Sequence, residues 1–174
     1  GNDPAGVIGE AISTPGFGYG VLGQGTFFGV FSVGNSGATG TKSFLIDHPL
    51  DPANLYLRHY SAEAPEPLNI YTGNATFDAS GRAPVTLPEY FHAINTDLRY
   101  TLTAVGAPMP NLHIAKKARD GQFTIAGGVP GAEVSWQVTA TRDDAHVKAK
   151  GHSDVLPKRP HERGKFLAPE LHGK

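Results

Sequence analysis

The sequence predicts an all-β fold: an antiparallel, sandwich-like body with a Gly-rich N-terminal β-arm and an extended C-terminal tail. Three observations lead there. Glycine (22) and proline (14) fill 36 of the 174 positions, about 21% where roughly 12% is usual, a density that long helices do not accommodate. Apolar and polar residues alternate with a period of two along several segments, as a half-buried strand requires. Turn-forming clusters recur about every 8–12 residues, which marks out about nine short strands.

The arm, residues 1–41, holds 12 of the 22 glycines and only two charged residues, Asp3 and Glu10. Gly6-Val7-Ile8-Gly9-Glu10 recurs as Gly20-Val21-Leu22-Gly23-Gln24, and a degenerate copy follows at Gly29-Val30-Phe31-Ser32-Val33. The spacings, 14 and 9 residues, exclude a strict solenoid. A single copy so short, apolar and uncharged has no core of its own in which to hide its side chains. A flexible linker would be polar and poor in aromatics. The arm is therefore expected to assemble with other copies. Its interface residues are Val7, Ile8 and Phe17, then Val21 and Leu22, then Phe27, Phe28, Val30 and Phe31.

The body, residues 42–145, opens with strand candidates at 43–47, 55–60 and 68–72. Residues 75–77 and 83–87 flank Asp78-Ala79-Ser80-Gly81, a hairpin signal. Pro88 and Glu89 suit the first turn of a one- or two-turn helix over 88–95, the one helix expected. Leu98, Tyr100, Leu102 and Ala104 alternate against Arg99, Thr101 and Thr103. A second hairpin joins Leu112 and Ile114 to Phe123 and Ile125 through Arg119-Asp120-Gly121. Over 132–141, Val134, Trp136, Val138 and Ala140 share one face. The expected core thus includes Trp136, Val134, Val138, Tyr100 and Leu102, and the indole N–H of a buried Trp136 needs an acceptor.

The tail, residues 146–174, carries seven Lys or Arg against three Asp or Glu, so it is +4 while the remainder is −5. Pro157, Pro160 and Pro169 exclude a long helix or a central strand. An extended strap is expected, docked by Phe166, Leu167 and Leu171 on the body or on a neighbour.

Composition also narrows the chemistry. A net charge of −1 provides no basic field for nucleic acid. No apolar run reaches the roughly 18 residues of a membrane span. No signal peptide is visible, so the chain is expected to be cytosolic, processed or a fragment. The lack of cysteine excludes disulfides, thiolate metal sites and a thiol nucleophile. None of the eight histidines falls in HxH, HxxxH or HExxH spacing, and no metal or other cofactor is expected. His48, between Asp47 and Pro49, suits a turn in which the imidazole bonds the backbone; His59 suits a half-buried strand position. Asp47 with Asp51, and Asp143 with Asp144, are expected to cap turns or pair with basic residues. Tyr56, Tyr60 and Tyr71 are candidates for stacking on sugar rings or for packing. Ser153-Asp154 with Lys158 has the spacing of a self-cleaving Ser–Lys dyad, but Pro157 interrupts it. No catalytic residue is assigned.

Lys42-Ser43-Phe44-Leu45-Ile46-Asp47-His48-Pro49-Leu50-Asp51-Pro52 resembles a segment found in a family of largely uncharacterised bacterial surface proteins with phage and large-virus fibre relatives. Val85-Thr86-Leu87-Pro88-Glu89-Tyr90-Phe91, Val134-Ser135-Trp136-Gln137-Val138-Thr139 and Glu162-Arg163-Gly164-Lys165-Phe166-Leu167 fit it too, as do the Gly-Val-x-Gly repeats. The resemblance implies an extracellular or cell- or virion-surface β-protein with a fibrous stalk, trimeric in form. The expected function is that of a structural fibre or filament subunit whose partner is itself. A trimeric fibre tip that recognises surface glycan is the alternative, and a self-cleaving or hydrolytic enzyme is third.

Overall fold

Residues 21–24, 30, 32 and 36–173 are described by the computed structural model. Of the expected interface residues, Val7, Ile8, Phe17, Phe27, Phe28 and Phe31 lie outside them. The chain divides into two units, one of Gly1–Ala62 with Pro157–Lys174 and one of Glu63–Leu156. The second takes in most of the expected body and the first takes its two opening strands.

In the first unit, β1 (Ser43–Asp47) pairs antiparallel with β2 (Tyr56–Tyr60), Ser43 opposite Tyr60 and Asp47 opposite Tyr56. The connection is held locally. His48 N–H donates to Leu55 O at 2.9 Å, and the His48 Nδ1 accepts from Leu50 N–H at 3.2 Å, the turn role expected of it. Asp51 Oδ1 accepts from Asn54 Nδ2 at 2.8 Å. The tail residues of this unit form 3-10 turns at Pro160–Glu162 and Pro169–His172, each starting on a proline, whose fixed φ suits a helical first position.

The second unit holds six strands: β3 (Leu68–Thr76), β4 (Arg82–Thr86), β5 (Asn95–Val105), β6 (His113–Arg119), β7 (Gln122–Ala126) and β8 (Glu133–Arg142). They form two antiparallel three-stranded sheets, β3-β8-β5 and β4-β7-β6. With β1 and β2 this makes eight described strands where about nine were expected. The all-β, antiparallel class is as the alternation predicts.

Alternation sets what each strand buries. Val134, Val138 and Ala140 of β8 are fully buried, and Tyr100 and Leu102 of β5 pack beside them. Ala83 and Val85 of β4 and Phe123 and Ile125 of β7 close the core from the other sheet. Phe123 lies at its centre, 5.4 Å from both the Tyr100 and Trp136 rings. The Tyr100 hydroxyl accepts from Ala118 N–H at 2.8 Å, tying β5 to β6 across the layers. Trp136 stands opposite Gly73, and a Cβ there would come within 2.7 Å of the indole. The glycine leaves a seat for the ring, but the buried indole nitrogen has no hydrogen-bond acceptor among the described residues, contrary to expectation.

Only one of the two expected hairpins forms. β6 and β7 are joined by Asp120 and Gly121 at φ 50° and 76°, the left-handed pair of a type I′ turn. The turn at 78–81 instead carries the chain from β3 in one sheet to β4 in the other. Asp78 Oδ1 accepts from the Ser80 N–H, the Ser80 hydroxyl and the Arg82 N–H, so the loop satisfies itself without strand pairing.

The helix expected over 88–95 is a single 3-10 turn, Phe91–Ala93. Buried Asn95 pins it: its Nδ2 donates to Phe91 O at 2.7 Å and to the Tyr71 hydroxyl at 2.9 Å, while its Oδ1 accepts from Asn69 Nδ2 at 2.9 Å. A second helix, α1 (Ala145–Lys150), corrects the expectation of a tail extended from its start. Asp144 caps α1 by accepting from Val147 N–H at 3.0 Å, and Gly151 ends it.

Candidate assembly surface

β1 reads Ser-Phe-Leu-Ile-Asp, three consecutive large apolar residues, and a strand sends consecutive side chains to opposite faces. The pairing with β2 therefore puts Phe44, Ile46 and Leu57 on one face and Leu45, Tyr56 and Tyr60 on the other. Every residue of β1 is exposed, Phe44 at 51% and Ile46 at 50%. Tyr56 and Tyr60 are exposed at 70% and 60%. An isolated two-stranded ribbon is marginal in water, and this one presents apolar groups on both faces. Exposed apolar groups gathered in this way make the ribbon a candidate contact surface. The unbroken apolar run in β1 was the signal for it, yet the strand was expected to join the body.

Of the described arm residues expected at the interface, Val21, Leu22 and Val30 are all exposed, at 65%, 74% and 73%. The core residues are placed differently: Val134 and Val138 are sealed, while Trp136, Tyr100 and Leu102 are half-buried against them. His59, expected half-buried, is exposed, its ring 5.1 Å from Phe44. It stands opposite Phe44 in the strand pair, and Phe44 is itself exposed. Tyr71 is half-buried, 4.8 Å from Phe91 and bonded to Asn95, which withdraws it from sugar stacking.

Most of the remaining candidates make local structural contacts. The Ser153 hydroxyl donates to Val155 O at 2.7 Å. Lys158 Nζ donates to the Lys165 carbonyl and lies 5.3 Å from the centre of the Phe166 ring, which stacks on His172 at 4.7 Å. Leu167 and Leu171, expected to dock, are exposed at 87% and 78%. Asp143 pairs with Lys148 at 3.1 Å, and Asp144 with Arg142 at 2.5 Å. A shallow depression of about 340 Å³ is lined by Leu87, Glu89, His92, Asp120 and Gln122, among others. Among the described residues no three His, Asp or Glu converge as a metal would require, and no helix is long and apolar enough to cross a membrane.

Three carboxyls lie below their usual range. Glu66 is lowered chiefly by the Thr141 hydroxyl, then by Arg99 at 2.8 Å, a pair of bonds that ties residue 66 to β8 and β5. Asp78 is lowered chiefly by the Ser80 hydroxyl, and Asp144 by the Val147 N–H. A carboxyl held below its unfolded value stabilises the fold above that value and loses this contribution as pH falls through the folded one. Starting from ordinary values of 4.5 for Glu and 3.8 for Asp, thermal stability should decline as pH drops from about 5 to about 3. Glu66→Gln should make that decline shallower in thermal melts recorded across the range, and an unchanged slope would count against it.

No known protein family matches the chain, and no curated protein or solved structure does either.

Proposed function

We propose that this protein is a structural subunit of an extracellular fibre or filament, at the surface of a cell or virion, which assembles with copies of itself through its apolar N-terminal region. The observation that carries this reading is the arm itself: it holds only two charged residues, and its described apolar residues Val21, Leu22 and Val30 are all exposed. Burying on the order of 1,000–2,000 Å² of apolar arm surface on neighbours supplies about 25–50 kcal/mol at roughly 25 cal/mol per Å², while ordering about 40 residues costs on the order of 40–80 kcal/mol. The two are of similar size, so assembly depends on several neighbours acting together.

Light scattering and negative-stain microscopy of residues 1–174 against residues 41–174 test it. The shorter protein should stay folded by circular dichroism, because the second unit has its own core, and should remain monomeric without filaments. Assembly of the shorter protein at the same concentration would reject the arm as the assembly element. Val21→Asp with Phe31→Asp should weaken assembly in the same direction, since charge would then have to be buried. Added salt should not restore it, because desolvation rather than long-range repulsion sets the cost.

A second reading, a fibre tip that recognises surface glycan, is supported by Tyr56 and Tyr60, exposed on one face of the ribbon with Arg58 between them. Glycan-array binding lost in Tyr56→Ala, with assembly intact, would favour it.

A further inference from the structure

The two three-stranded sheets have four outer edges, and an unprotected edge is a template for pairing with another chain. Three of the four are blunted. β4 carries Arg82 and, at its centre, Pro84. Leu87 N–H donates to Gly121 O in the β7 direction, so alternation turns residue 84 outward and its missing N–H falls on the open side. β6 carries Lys116, Lys117 and Arg119, and its register against β7 shifts twice. β5 carries Arg99, has Asp97 at φ 48°, and shifts register between Thr96 and Arg99.

β3 has none of these devices. Its nine residues, Leu68–Thr76, include no charge and no proline, and its register with β8 is unbroken. Among the described residues β8 is its one strand neighbour. Two hydrogen bonds show which backbone groups remain. Arg142 N–H donates to Pro67 O at 2.9 Å, and Phe77 N–H donates to Ala132 O at 3.0 Å. Odd-numbered residues therefore face β8, and the N–H and C=O of Leu68, Ile70, Thr72, Asn74 and Thr76 point to the open side. Ile70 is exposed at 59% beside them.

We propose that the β3 edge accepts the arm of a second copy of this chain as an added strand, through arm residues 26–33. The proposal rests on the self-assembly reading above and names its acceptor. Residues 26–33 are Thr-Phe-Phe-Gly-Val-Phe-Ser-Val, without charge or proline, so every residue brings a backbone donor. Eight residues extend over about 26 Å, close to the roughly 30 Å of a nine-residue strand. The alternation puts Phe27, Gly29, Phe31 and Val33 on one face and Thr26, Phe28, Val30 and Ser32 on the other, apolar on both, as in a strand covered on two sides. β3 is uncharged like the segment, whereas β6, β5 and β4 would set it beside Lys or Arg.

Thr72→Pro in the full chain tests the acceptor, because that N–H faces away from β8 and its loss breaks no bond of the β3–β8 ladder. The variant should fold like the parent by circular dichroism and associate about tenfold or more weakly in sedimentation. Ile70→Lys, which leaves the backbone intact, should act in the same direction. In assembled 1–174 the amides of Ile70, Thr72 and Asn74 should exchange with solvent about tenfold or more slowly than in 41–174. If both variants associate within about twofold of the parent while 41–174 stays monomeric, β3 is not the acceptor and the self-assembly reading survives. If 41–174 still associates and Thr72→Pro stops it, β3 pairs with β3 and the arm is overturned as occupant. Slow exchange of those amides in monomeric 1–174 would place the arm on its own β3 and overturn the second copy.

Discussion

Gly127→Ala should destabilise the second unit by about 3–5 kcal/mol, comparable to much of the stability of a small domain. Gly127 follows β7 at φ 82°, in the left-handed region. A Cβ there would lie 1.9 Å from the Asn111 carbonyl oxygen and 2.5 Å from its carbon. Neither backbone can retreat freely, because β6 and β7 pair immediately beyond, His113 opposite Ala126, and Leu112 N–H donates to Met109 O at 3.1 Å. The melting temperature should fall by roughly 15 °C or more. Gly106 separates the two contributions: it has the same φ of 82° but nothing within 4 Å of its Cβ position. Gly106→Ala should therefore cost only about 1–2 kcal/mol, the backbone term alone. Equal losses in the two variants, measured by urea unfolding, would show that the carbonyl overlap at Gly127 has no effect.

Phe123→Ala should cost a similar 3–5 kcal/mol, by creating a cavity where the two sheets meet. The ring is 1% exposed. It touches Tyr100 and Trp136 of the opposite sheet, the latter edge-on at 82° between the ring planes. Its removal breaks both contacts and opens space beside an indole that has no polar partner among the described residues. Trp136 emission should shift toward that of tryptophan in water, together with a lower urea midpoint. Phe123→Leu keeps most of the volume and should lose less than about 1.5 kcal/mol. A Phe123→Ala protein within about 1 kcal/mol of the parent would mean that the sheets close over the gap.

Period-two alternation was enough to locate β5 and β8 and to say which of their residues turn inward, because one buried face imposes that pattern on the residues themselves. The β6–β7 turn was legible for a similar reason: Asp120-Gly121 tolerates the two positive φ values that a tight hairpin demands. The candidate assembly surface was half legible. A near absence of charge singles out the arm, whereas β1 and β2 look like body strands in the sequence, since a strand's apolar content does not reveal which unit it folds with. His59 was misplaced by the same omission.

The turn at 78–81 marks the boundary between what local chemistry decides and what packing decides. Asp78, Ser80 and Gly81 determine by themselves that the chain reverses there, because the Asp78 carboxylate satisfies the loop's own N–H groups. Whether the reversed strand pairs with β3 or crosses to the other sheet is not a local matter. It crosses, and burial of Phe77, Val85 and Leu87 in the common core accompanies that choice. Of the connections in the second unit, only β6–β7 stays within a sheet. The sequence by itself therefore determined the class, the strands and the inward faces. The tertiary structure alone decided strand neighbours, and with them which strand was left at an unprotected edge, because a strand's edge hydrogen bonds are made with partners distant in the chain, chosen by how the two apolar faces close on each other.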